Sequence, residues 1–148
     1  GGVIGCGLGS YHYVQAHKKD LSRVAWMGCF DGVGVLLGEP YVSVGRSEKV
    51  RAAAASVCAP RGVEVCPFHR GSDNGVFHDH GVPTVWFSDH IPDSGVGHVA
   101  LHAPQDTLKI MDWPRLTSIC ELAARLAERL GCTVLSCRRA RSKTERRR

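Results

Sequence analysis

Three side chains sit where an open α/β sheet does its chemistry, in loops just past the carboxyl ends of strand-like runs. Asp31 directly follows the apolar run 24–30 (Val-Ala-Trp-Met-Gly-Cys-Phe) and is set in Phe30-Asp31-Gly32-Val33-Gly34, whose glycines allow close approach of a ligand or metal. Asp73 follows Gly71-Ser72 and leads through Phe77 to Gly81-Val82-Pro83. His102 precedes Ala103-Pro104-Gln105-Asp106-Thr107. A carboxylate and an imidazole from separate strand ends can ligate zinc, with a carboxylate such as Asp106 orienting the ring's other nitrogen. A lone loop aspartate serves as readily as an Asx turn or a cap, so spacing alone leaves the metal role and the structural role both open.

The remaining reactive side chains favour plainer roles. None of the seven cysteines (Cys6, Cys29, Cys58, Cys66, Cys120, Cys132, Cys137) forms a Cys-x-x-Cys knuckle, which argues against a zinc ribbon. Cys29 in its apolar run and Cys120 on a helix face read as small buried hydrophobes. Six of the eight histidines fall between residues 69 and 102, but His78 and His80, in the short stretch between Phe77 and Gly81, are expected at the surface and not as ligands. Gly32-Val33-Gly34 and Gly95-Val96-Gly97 lack the strand-to-helix context of a nucleotide loop.

These residues need a scaffold, and the pattern along the chain supplies one. The run 24–30 suits a strand covered on both faces. Tyr41-Val42-Ser43-Val44 is a second strand, Val63-Glu64-Val65 a short third, and 83–87 (Pro-Thr-Val-Trp-Phe) a fourth with proline at its first position. Ser47 caps a helix over 48–58 in which Val50, Ala54 and Val57 share a face. Asp112 caps a long helix with Pro114 in its first turn and Leu116, Ile119, Ala123, Leu126 and Leu130 on one side, stopped at Gly131. Alternating strands and helices argue a mainly parallel sheet between helices.

A chain of 148 residues is enough for one domain that buries roughly 70% of its unfolded surface. With 43% hydrophobic and 22% charged residues it falls in the globular range, which excludes wholesale disorder, collagen and coiled coil. No apolar run reaches the roughly 18 residues of a membrane span. The net charge of +5 is concentrated in residues 138–148, where six Arg, one Lys and one Glu leave +6 and the rest of the chain stands at −1. Nucleic acid is therefore disfavoured as a partner of the domain; the basic segment reads as a solvated, disordered tail.

The runs taken in order resemble the C-terminal half of the two-zinc aminopeptidase family, which includes bacterial leucyl aminopeptidase, glutamate carboxypeptidase and glutaminyl cyclase relatives. They are Gly7-Leu8-Gly9-Ser10, Cys29-Phe30-Asp31-Gly32-Val33-Gly34, Gly71-Ser72-Asp73-Asn74-Gly75-Val76-Phe77 with Gly81-Val82-Pro83, and Leu101-His102-Ala103-Pro104-Gln105-Asp106-Thr107, followed by the long helix. The resemblance covers roughly residues 5–131. It implies an α/β/α sandwich hydrolase in which two zinc ions share a water and a Glu acts as general base toward a peptide carbonyl. Carried over by position, Asp31 matches a ligand of one zinc, His102 a ligand of the other, and Asp73 the aspartate bordering the substrate cleft.

The departures shape the expectation as much as the matches. The family's glutamate pair belongs before the Gly-Leu-x-Gly-Ser run, where this chain has Gly2, Val3 and Ile4, and no acidic residue precedes Asp20. Two of the family's five ligands remain, the base is missing, and Asn74 stands where the family has His. The expected organisation is a partial zinc-peptidase-like domain over 1–137 and a basic tail over 138–148. The reading is a fragment or degenerate family member, inactive alone, with a peptide as substrate where the complete domain exists. The alternative is a non-catalytic module that keeps the fold and offers its tail to an acidic partner. A sheet cut from its upstream half would also expose an edge near residues 24–30 and favour self-association.

Overall fold

The computed structural model describes residues 7–90, 100 and 102–145, with side chains as far as 131. Residues 1–6, Gly95, Val96, Gly97, His98 and Leu101, and the side chains of Cys132 and Cys137, thus lie outside the described residues. The chain forms α1 (Leu8–Ala16), β1 (Met27–Phe30), β2 (Glu39–Gly45), α2 (Glu48–Cys58), β3 (Glu64–Pro67), α3 (Asn74–Asp79), β4 (Thr84–His90) and α4 (Trp113–Glu145), with single 3-10 turns between some of them.

The four strands among the described residues make one sheet in the order β1-β4-β2-β3. β1 runs parallel to β4, with Cys29 beside Trp86, and β2 runs parallel to β3, with Tyr41 beside Glu64. The central pair β2 and β4 is antiparallel, Val42 facing Phe87. Chain length explains this one reversal. A parallel return needs a crossover of about a dozen residues or more, whereas residues 31–38 between β1 and β2 are too few, so β2 must run back against the direction of β1 and of β4 beside it.

Helices cover both faces, giving the expected α/β/α layering. On one face Val42, Val44, Val85 and Phe87 pack against Val50, Ala54, Val57 and Cys58 of α2 and Ile119, Leu122, Ala123, Leu126 and Leu130 of α4. The caps lie where the sequence puts them: the Val50 amide donates to Ser47 Oγ at 3.3 Å and the Arg115 amide to Asp112 Oδ1 at 3.0 Å. On the other face Val14, Leu21 and Val82 gather Val76, Phe77 and Met27 beneath α1 and α3, and Cys29, Tyr41 and Trp86 form a smaller apolar patch.

Several expectations are corrected. β1 is shorter than the run 24–30 and lies at the sheet edge, so Phe30 is half exposed rather than covered on both faces. β4 continues past Phe87 to His90, because Ser88, Asp89 and His90 pair with Tyr41, Pro40 and Glu39. Gly131 does not stop α4. It lacks the left-handed conformation of a helix terminator, and one interior glycine costs only about 1 kcal/mol, so the helical backbone runs on to Glu145 and includes residues 138–145. Cys120 is exposed, since it projects one residue, about 100°, beyond the buried Ile119. His78 is stacked on Phe68 at 3.6 Å and half buried, which lowers its pKa, and His80 bonds Val76 O at 2.9 Å, so neither is a simple solvated side chain.

Candidate active site

The loop after β1 is fixed by its backbone. The Asp31 amide donates to Phe87 O at 3.3 Å, and the Asp31 carbonyl accepts the Trp86 indole N–H at 3.3 Å. Gly32 and Gly34 then turn in left-handed conformations, and a side chain at Gly34 would come within 2.9 Å of Leu116 on α4. The buried Asp89 of β4 clamps the rest of the loop: its amide donates to Gly32 O at 3.0 Å and its Oδ2 accepts the Val35 amide at 2.9 Å. Burial raises the Asp89 pKa, and its Oδ1 has no hydrogen-bond partner among the described residues. With its main chain held this way, Asp31 presents an exposed carboxylate that has no hydrogen bond or ion pair among the described residues.

Asp73 reaches the same place from the other side of the sheet edge. Its carboxylate accepts the hydroxyl of the buried Ser10 on α1. Gly7 makes that approach possible, because a side chain there would meet Val76 at 2.6 Å and its φ of 83° is left-handed. Gly71 lies flat on the Trp86 ring, where an added carbon would fall 2.1 Å from the indole. Asn74 is wholly buried and stitches the turn, donating from Nδ2 to His69 O at 2.7 Å and accepting the Ser72 amide at 3.0 Å. Cys29 links the two sides. Burial pushes its thiol pKa up, Ser72 and the Asn74 backbone are within hydrogen-bonding reach, and both Asp31 and Asp73 act on it. Cys29 is thus a neighbour on which both aspartates act.

His102 stands apart. It is exposed, adopts a φ of 59° in a turn, and contacts neither aspartate among the described residues. Its segment does return to the Asp31 loop: Ile110 O accepts the Leu36 amide at 2.9 Å, Met111 bridges Val35, and the Asp112 amide donates to Gly34 O at 2.8 Å. Asp106 makes no bond to His102.

Composition of the donor set decides whether zinc fits. Asp31, Asp73 and His102 do not form a trio of donors around one point; the one such trio among the described residues is Glu64, Cys66 and His90. The described residues alone do not make a two-zinc centre. The sequence did not single out Ser10, Asn74, Trp86 and Asp89 as the supports of this site; only Asn74 adjoins a candidate residue, and Ser10 and Trp86 act across 63 and 55 positions of sequence.

Residues 6–127 match the family model for peptidase family M28. Two solved structures of BSAP, a zinc aminopeptidase from Bacillus subtilis, share the fold with a TM-score of 0.67, at 26% and 25% identity over 83% and 82% of this chain. An aminopeptidase from Aneurinibacillus sp. strain AM-1 has a TM-score of 0.63 at 21% identity over 81% of this chain, a likeness of fold. The matched region is 32% of the Bacillus chain and 29% of the Aneurinibacillus chain, so this chain spans about a third of those enzymes. No curated protein matches it.

Proposed function

The chain belongs to peptidase family M28, and from that premise we propose that it supplies one side of a zinc aminopeptidase site, with hydrolysis of N-terminal peptide bonds as the reaction. Asp31 would hold one zinc and His102 the other, while Asp73 borders the peptide. When bound, such a zinc pair lowers the pKa of the attacking water and polarises the carbonyl. The chain's own part is to fix the backbone at Asp31, to anchor Asp73 through Ser10, and to keep the buried Cys29 thiol protonated. The observation that carries the reading is Asp31 itself, whose side chain has no hydrogen bond or ion pair among the described residues while its backbone is pinned by Trp86 and Phe87.

Residues 1–148 supply no glutamate ahead of Gly7, and among the described residues no third donor gathers with Asp31. Hydrolysis therefore depends on groups from outside this sequence, and the chain alone is inactive in this reading. The experiment is hydrolysis of an aminoacyl p-nitroanilide, with and without zinc, by the 148-residue chain and by any longer product of its reading frame. No turnover is expected from the short chain, and a loss of about a hundredfold or more is expected on Asp31→Asn in an active longer one. Zinc-dependent turnover by the short chain would overturn the inactivity, and a longer form indifferent to Asp31→Asn would overturn the assignment of Asp31.

A further inference from the structure

The sheet face carrying Cys29, Tyr41 and Trp86 is covered by α3 near Thr84 and by the Gly71 turn over Trp86, but its far end holds three polar donors. Glu64 and Cys66 are two residues apart on β3, so both point to this face. His90 ends β4 on the same face, two places beyond Ser88, with β2 between the two strands. One donor atom from each residue lies within 4.8 Å of both others.

We propose that Glu64, Cys66 and His90 form a binding site for a single zinc-class divalent cation, distinct from Asp31 and His102 and independent of the peptidase reading. The donor set is one carboxylate, one thiolate and one imidazole, the nitrogen, sulfur and oxygen mixture that a borderline cation accepts. Bond lengths of about 2.0–2.3 Å place ligand atoms of a tetrahedral site about 3.3–3.6 Å apart. His90 Nε2 is already 3.7 Å from Glu64 Oε2, so small side-chain rotations complete the set. The His90 ring is not loose: it stacks on Tyr41 at 4.1 Å, and Tyr41 is itself buried, which fixes the plane of the imidazole. Both Glu64 and His90 are more than half exposed, so the cation enters from solvent and keeps water in its fourth position. Binding displaces the Cys66 thiol proton to solvent and forms the metal–sulfur bond in its place.

Cobalt(II) titration of the full 148-residue chain tests this, since a thiolate–cobalt bond gives a near-ultraviolet charge-transfer band and a tetrahedral site gives visible d–d bands. One cobalt per chain with both features is expected, displaced by zinc. Cys66→Ser should abolish the charge-transfer band. Glu64→Gln and His90→Ala, at exposed positions that do not threaten folding, should each weaken binding by at least the roughly 10–100-fold that loss of a hydrogen-bond partner behind a metal ligand costs. Asp31→Asn, His102→Ala and Cys120→Ser should leave the band in place. A chain without the band, a band that survives Cys66→Ser, or affinity unmoved by both Glu64→Gln and His90→Ala would overturn the site.

Discussion

The Ser10 hydroxyl donates to the Asp73 carboxylate, joining the first helix to a turn 63 residues away in sequence. This single bond couples the Gly7-Leu8-Gly9-Ser10 run to the Gly71-Ser72-Asp73 run, and it is part-buried, so its loss leaves a charged acceptor short of a partner. A hydrogen bond to a charged group contributes about 1.5–3 kcal/mol. In urea unfolding of Ser10→Ala, Asp73→Asn and the double variant, we expect a coupling of at least about 1 kcal/mol. Additive losses would mean that the two side chains do not act as a pair.

Leu126 is fully buried between the helices and the sheet, whereas Cys120 on the same helix is exposed. Leu126→Ala should cost about 2–5 kcal/mol, and Cys120→Ser should stay within about 0.5 kcal/mol. Thermal and urea midpoints of the two variants check this. A neutral Leu126→Ala would place α4 elsewhere than on Val42, Val44 and Phe87.

Asp89 gives the pH prediction. Its folded pKa is raised by burial above the unfolded value of 3.8, so the folded chain holds that proton more tightly than the unfolded chain. Stability from this residue is therefore lost as pH rises through the folded pKa and gained as pH falls toward the unfolded one. Asp89→Asn removes this dependence, so the difference in unfolding free energy between the variant and the parent should grow with pH across that window, in the variant's favour. A difference that is flat with pH, or that shrinks, would contradict the raised pKa.

The β1 edge leads to an association prediction. β1 pairs with β4 alone among the described strands, and Phe30 on it is half exposed while stacked on Phe87 at 4.7 Å. An edge strand that carries an exposed aromatic ring offers a pairing surface to another chain. Size-exclusion chromatography with light scattering should show dimers or larger species that Phe30→Lys reduces. A monodisperse monomer across micromolar concentrations would remove the edge as an interface.

Parts of the fold written in local chemistry were legible in the sequence. Ser47 and Asp112 as caps, and the stripe Ile119, Ala123, Leu126 and Leu130, depend on neighbours three or four residues away. The end of β4 was not legible, because Ser88, Asp89 and His90 look like a loop until β2 pairs with them. Asp31 and Asp73 could be picked out as candidates from their runs. That Asn74 braces the turn, that Ser10 holds Asp73 and that Trp86 spans both loops could not, since each bond joins segments far apart in sequence and leaves no periodic trace. Gly131 misled because glycine ends a helix only where a left-handed turn follows.

Trp86 connects the two halves of the site: its N–H holds the Asp31 carbonyl, and its ring forms the floor on which Gly71 rests. An indole placed so is a natural optical gauge. With Trp26 and Trp113 replaced by Phe, its near-ultraviolet circular dichroism and emission would report on the spacing between the Asp31 loop and the Gly71 turn, without a chromogenic substrate and whether or not any bond is broken there.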